Sequence, residues 1–102
     1  MVEFRAFRGT RRSSVYRSHA LDGGAFSRIV DAAAAAGLAA LQHLAPIAEL
    51  NAAEAHQLAA ELTQLRSSAA LVDLDSDLAA IAALASWCAR ARRSAWMTVQ
   101  WI

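Results

Sequence analysis

The chain has 102 residues, ten arginines and no lysine against nine acids, and a formal net charge of +1. Of its hydrophobic fraction of 57%, much is contributed by 27 alanines, which favour helix more than they add buried area. The longest apolar run, Ala32 to Leu41, is closed by Gln42 and His43 and falls short of the roughly 20 residues a membrane-spanning helix needs.

That length predicts a single domain, residues 1–102. No apolar block follows the N-terminal arginines, so no secretory leader and no membrane association are expected. Cys88 is the only cysteine, which excludes an intrachain disulfide and makes a reducing cytoplasm the expected location.

Met1 to Arg8 alternates as a strand does, with Val2, Phe4 and Ala6 on one face and Glu3, Arg5 and Phe7 on the other. Gly9 to Ser13 is turn-like. Ser14 to Leu21 could return as a second strand, since Val15 and Tyr16 favour extended backbone, or could stay irregular. Asp22-Gly23-Gly24 breaks the pattern. From Ala25 the period becomes helical, with Phe26, Ile29, Val30 and Ala33 on one stripe. Gly37 can end this helix in the left-handed conformation with Leu38 packing back, or be tolerated inside a longer one at a cost of about 1 kcal/mol. Residues 25–45 are therefore one helix or two, since Leu38, Leu41 and Leu44 keep a helical spacing up to Pro46.

Asn51 and Glu54 have the spacing of a capping box, opening a helix whose apolar stripe is Ala55, Leu58, Leu62 and Leu65. Glu61 and Gln64 fall on its predicted wet side. A last helix begins near Asp75 or Ser76, where acids suit the positive end of the helix dipole, and carries Leu78, Ile81, Ala85 and Cys88 on one stripe. Trp96 to Ile102 alternates again and predicts a terminal strand with Met97, Val99 and Trp101 turned toward the helices.

A lone strand at each end of a helical chain is unstable, so the two ends are expected to pair. The predicted fold is α+β: three to four helices packed on one face of a small antiparallel sheet formed by the N-terminal strand or hairpin and the C-terminal strand. The stretch Gly37-Leu38, Pro46, Leu50-Asn51-Ala52-Ala53-Glu54-Ala55, Leu58-Ala59-Ala60-Glu61-Leu62 and Leu65-Arg66, with Ile81, Leu84-Ala85 and Cys88-Ala89, resembles a group of short Ala- and Arg-rich actinobacterial proteins. The resemblance covers about two thirds of the chain and implies a fold and a taxon but no activity. Where those proteins often carry a Tyr-Gly-Asp-Thr-like turn after the proline, Pro46 here leads into Ile47-Ala48-Glu49.

Residues that could carry chemistry do not assemble along the sequence. Cys88 shares a stripe with buried apolar positions and is expected to be structural rather than a nucleophile. His19, His43 and His56 lack metal-ligand spacing with each other or with Cys88. Asp73, Asp75 and Asp77 begin like a calcium loop, but Leu78 and Leu84 stand where its Gly and Glu belong, so they are better explained as helix-start acids. Gly23-Gly24 lacks the longer glycine pattern of a phosphate loop. No catalytic residue, metal or cofactor is expected, and the chain is not expected to be an enzyme.

Two surfaces remain. Arg5, Arg8, Arg11, Arg12 and Arg17 near one end and Arg90, Arg92 and Arg93 near the other would form a basic patch if the termini pair. Nucleic-acid binding through that patch is the second reading, set back by the acidic middle and a sequence pI of about 8.0. The first reading is a protein-interaction module, self-associating as a homodimer or binding a protein partner, an immunity or regulatory protein being one version, through the sheet face turned from the helices. Phe7, Trp96, Thr98, Gln100 and Ile102 are its candidate contact residues.

Overall fold

The computed structural model describes residues 1–8, 15–44, 47–90 and 95–102, apart from the side chains of Val15, Tyr16 and Ile47. Four strands and four helices follow one another along the chain: β1 (Val2–Arg8), β2 (Val15–Leu21), α1 (Gly23–Ala36), α2 (Ala39–Gln42), β3 (Ile47–Leu50), α3 (Ala52–Leu65), α4 (Asp75–Arg90) and β4 (Ala95–Trp101), with a short 3-10 segment, Ala69–Leu74, before α4. The strands form one antiparallel sheet in the order β2-β1-β4-β3. The fold is thus the α+β arrangement expected, with strands from both ends of the chain at the centre of the sheet. No helix among the described residues is long and apolar enough to cross a membrane.

Register explains which side of each strand is buried. Val2 lies opposite Trp101, Phe4 opposite Val99 and Ala6 opposite Met97, and residues directly opposite in an antiparallel pair share a face. Val2, Phe4, Ala6, Met97 and Val99 are buried in one apolar cluster with the helices, and the Phe4 ring meets Phe26 of α1 at 6.3 Å between centroids. Trp101 departs from expectation: its register puts it on the helical face, yet it lies at the strand's end and is 56% exposed. The edge of its ring lies against the first turn of α1. A Cβ on Gly23 would come within 3.1 Å of Trp101 Cη2.

The helix ends follow the local chemistry. Asp22 caps α1, its carboxylate accepting from the Ala25 amide at 2.8 Å. Gly37 ends α1 at φ 71°, with its own amide donating to the Ala34 carbonyl at 3.2 Å and the Leu38 amide to that of Ala33 at 2.9 Å. This double closure needs the left-handed residue that glycine supplies without a Cβ penalty. Residues 25–45 therefore hold two helices. At α3 the capping box is complete: Asn51 Oδ1 accepts from the Glu54 amide at 2.9 Å, and Glu54 Oε1 accepts from the Asn51 amide at 3.1 Å.

Two features correct the sequence reading. Residues 47–50, to which the sequence reading assigns no element, form the edge strand β3, pairing Leu50 with Met97 and Ile47 with Gln100. Four residues are too few for an alternation to register, and this strand's partner lies half the chain away. Glu61, expected on the wet side of α3, is only 3% exposed. Its carboxylate accepts from the Ala40 amide at 3.1 Å, the Leu41 amide at 2.9 Å and Gln57 Nε2 at 2.8 Å. It thereby satisfies the free amides of α2, whose own start at Leu38 has no side-chain cap.

Candidate interaction surface

The side of the sheet turned from the helices is built from the alternate residues of the same strands. The ladder between β1 and β4 brings Phe7 opposite Trp96, Arg5 opposite Thr98 and Glu3 opposite Gln100. It runs on to Met1, whose carbonyl accepts from the Ile102 amide at 2.9 Å. All five residues singled out in the sequence, Phe7, Trp96, Thr98, Gln100 and Ile102, thus sit on one face. Met1 joins them, and sequence reasoning missed it because its neighbour is Ile102, at the far end of the chain.

Their exposure differs. Phe7 is 3% exposed, outside the helical core cluster, with its ring stacked on Trp96 at 4.4 Å between centroids and 13° between planes. Trp96 and Gln100 are half-buried, and Ile102 and Met1 are 59% and 56% exposed. Phe7 supports the surface and Trp96 presents it. Between the two apolar ends lies a polar band. Arg5 Nε donates to Glu3 Oε1 in an ion pair, and Thr98 is buried with a hydroxyl that has no hydrogen-bond partner among the described residues. On the flanking strand β2, Ser18 lies opposite Arg5 and Ala20 opposite Glu3, so this side of the face stays low. Glu49 of β3 lies opposite Thr98.

The basic residues divide. Arg11, Arg12, Arg92 and Arg93 lie outside the described residues. Arg5 belongs to the open face. Arg8 lies with its guanidinium carbon 5.9 Å from the ring centroid of Trp87, and Arg17, Arg90 and Trp87 share with Ser18, His19 and Leu84 a cleft of about 360 Å³ between β2 and α4. Trp87 is thus an aromatic residue among the described arginines of the basic end. Arg90 Nε also donates to the Ser86 carbonyl at 3.2 Å.

The three aspartates before and within the start of α4 each meet a base from another element. Asp73 takes a two-pronged contact from Arg28 of α1 at 2.8 Å, Asp75 one from Arg66 at 2.9 and 3.2 Å, and Asp77 Oδ1 lies 2.7 Å from His19 Nε2 of β2. Hydrogen bonds from these arginines hold the Asp73 and Asp75 carboxyls below the usual range. The alternation read as helix-start acids thus also ties the 3-10 segment to α1 and the start of α4 to the end of α3 and to β2, and the two arginine pairs are exposed, so each contributes little. Among the described residues no three His, Cys, Asp or Glu side chains gather as a metal site would require.

Cys88 is fully buried, its thiol 3.5 Å from the Trp96 carbonyl, and burial pushes its pKa from 9.0 up to about 11. A thiol so placed is almost wholly protonated near neutral pH, the opposite of what a nucleophile needs. A concavity of about 520 Å³ beside β3 is lined by Ala40, His43, Leu44, Leu50, Gln57 and Leu58, among others. It carries no nucleophile and base in contact. Comparison with protein-family profiles, with curated proteins and with solved structures finds no match to this chain.

Proposed function

We propose that the protein is a non-enzymatic protein-interaction module that binds through the open face of its sheet. The observation that carries this reading is the distribution of apolar surface. Met1 and Ile102 stand side by side, each more than half exposed, at one end of the central strands, and the Phe7–Trp96 stack stands at the other. Large apolar side chains gathered on a face that no helix of the core cluster covers are what an interface uses, with aromatic anchors and a polar band that fixes orientation. Met97, Val99, Phe4 and Val2 pack on the helices from the other side of the same strands.

Nucleic-acid binding through the arginines stands second. Arg8, Arg17 and Arg90 gather about Trp87, but a net charge of +1 gives little long-range attraction for a polyanion.

The test is photo-crosslinking in the native cell, with benzoylphenylalanine placed at Trp96 in one chain and at Gln64, on the exposed side of α3, in another. The reading expects a discrete protein adduct, identified by mass, from position 96 and none from position 64. Adducts to nucleic acid, or equal labelling from both positions, overturn it.

A further inference from the structure

We infer that the open face is complementary to itself, and that its occupant is a second copy of this chain, laid face to face with its strands antiparallel. This rests on the interaction-module reading and goes beyond it by naming the partner and the register. Along the two central strands the face has four levels: Met1 with Ile102, Glu3 with Gln100, Arg5 with Thr98, and Phe7 with Trp96. In character these levels run apolar, acidic, basic, apolar. A two-fold axis lying between the sheets, across the strands at the level of Phe4 and Val99, exchanges the first level with the fourth and the second with the third. Trp96, stacked on the buried Phe7 ring, then presents that level to the partner's Met1 and the partner's Ile102. Glu3 meets the partner's Arg5, and Arg5 meets the partner's Glu3. Such an isologous contact closes on itself as a dimer and leaves no end free to grow.

Three further observations fit this register and did not enter its construction. The same axis sets Thr98, which is buried within its own chain, opposite the partner's Gln100, so neither side chain meets a charge. It sets Ser18 of β2 opposite the partner's Ala20, so small side chains meet where the sheets come closest. Glu49 falls opposite the level of the partner's Ile47 and not opposite its own copy, so no like charges face each other. Near-zero net charge adds little general repulsion between copies.

The contact is modest in size. Strands of about seven residues at ~3.3 Å per residue, four abreast at ~4.8 Å, give a footprint of roughly 400 Å² per copy. That sits near the lower limit of about 1,000 Å² in total for a specific interface, so dissociation constants in the micromolar range are expected.

The test uses charge reversal and mixing of the full chain, followed by sedimentation velocity. Glu3→Arg alone puts four positive charges at the centre of the dimer, and Arg5→Glu alone puts four negative ones there. Each is expected to weaken dimerisation at least about tenfold. Mixed in equal amounts, the two variants place opposite charges across the interface and are expected to form a heterodimer within about threefold of the wild-type affinity. Mixing cannot repair the Glu3–Arg5 ion pair inside either chain, so recovery reports only the contact between copies. As a check independent of these substitutions, benzoylphenylalanine at position 96 should label the partner's Met1 or the partner's Ile102. A wild-type chain that stays monomeric at about 500 μM overturns the proposal, as do single variants that dimerise normally or a mixture that does not recover. A monomeric chain that still gives one adduct to a different protein from position 96 defeats the self-pairing and leaves the interaction module standing.

Discussion

The two faces of the sheet are made from the same strands, one residue out of phase, and they do different work. On the helical face Val2, Phe4, Ala6, Met97 and Val99 are buried in one continuous apolar cluster with residues of α1, α3 and α4. On the open face the neighbours of those residues form a ladder with apolar ends and a charged middle, where Met1, Trp96 and Ile102 stand partly in solvent and Phe7 is buried beneath Trp96. A one-residue slip of β4 would exchange the two sets. The helical face is apolar throughout because its partner is fixed by the chain. The open face mixes apolar and charged levels, as a surface does that must remain soluble alone and still orient a partner.

The largest expected effect comes from removing what both faces share. Deleting residues 96–102 takes the strand between β1 and β3, leaves β3 without a partner and strips Met97 and Val99 from the core. Burial of such side chains contributes about 1.5–3 kcal/mol each, a large part of the ~5–15 kcal/mol that holds a domain folded. Circular dichroism should show an unfolded or aggregating chain, and a deletion that melts cooperatively near the wild-type temperature would break the comparison.

Smaller, and confined to the covered side, is the loss at Glu61. Glu61→Ala leaves the Ala40 and Leu41 amides and Gln57 without their acceptor, at a cost of about 2 kcal/mol for stranded buried groups. Glu61→Gln keeps an acceptor oxygen and should lose less. Urea unfolding of the two variants gives the order; equal and negligible losses would mean the carboxylate does not hold α2.

Cys88 sharpens the same side through pH. Its thiol ionises near 9.0 when exposed and near 11 in the fold. The unfolded chain therefore loses its proton first, and stability should fall as pH rises from about 9 to about 11. Cys88→Ala should flatten that part of the profile relative to wild type, and thiol labelling of the native protein at pH 8 should be far slower than that of the unfolded chain. Unchanged slopes, or labelling as fast as a free thiol, would place Cys88 outside the core.

What could be read from sequence was local. The period of β1, the Asn51–Glu54 box, the Gly37 stop and the Leu78–Ile81–Ala85–Cys88 stripe each declare themselves within a few residues, and the structure has each of them. What was missed depends on partners distant in sequence. β3 is defined by β4, and Glu61 is buried by amides 20 residues away. Trp101 followed the alternation of Met97 and Val99, but the sheet and helices end before covering it. The candidate residues Phe7, Trp96, Thr98, Gln100 and Ile102 were legible as one side of an alternating strand pair. Their arrangement about the level of Phe4 and Val99 was not, because it needs the register that pairs Met1 with Ile102.

The division of labour between the faces is tested most directly at Ile102, which is exposed, lies on the open face and is not a member of the buried core. Sedimentation velocity of Ile102→Asp beside wild type, over about 1–500 μM, reads association while circular dichroism of the same samples reads the fold. The account predicts an unchanged spectrum and melting temperature at the lowest concentration, with dimerisation weakened at least about tenfold by a charge set into an apolar contact. A variant that sediments as wild type does, or that unfolds at a concentration where wild type is folded and monomeric, would contradict it.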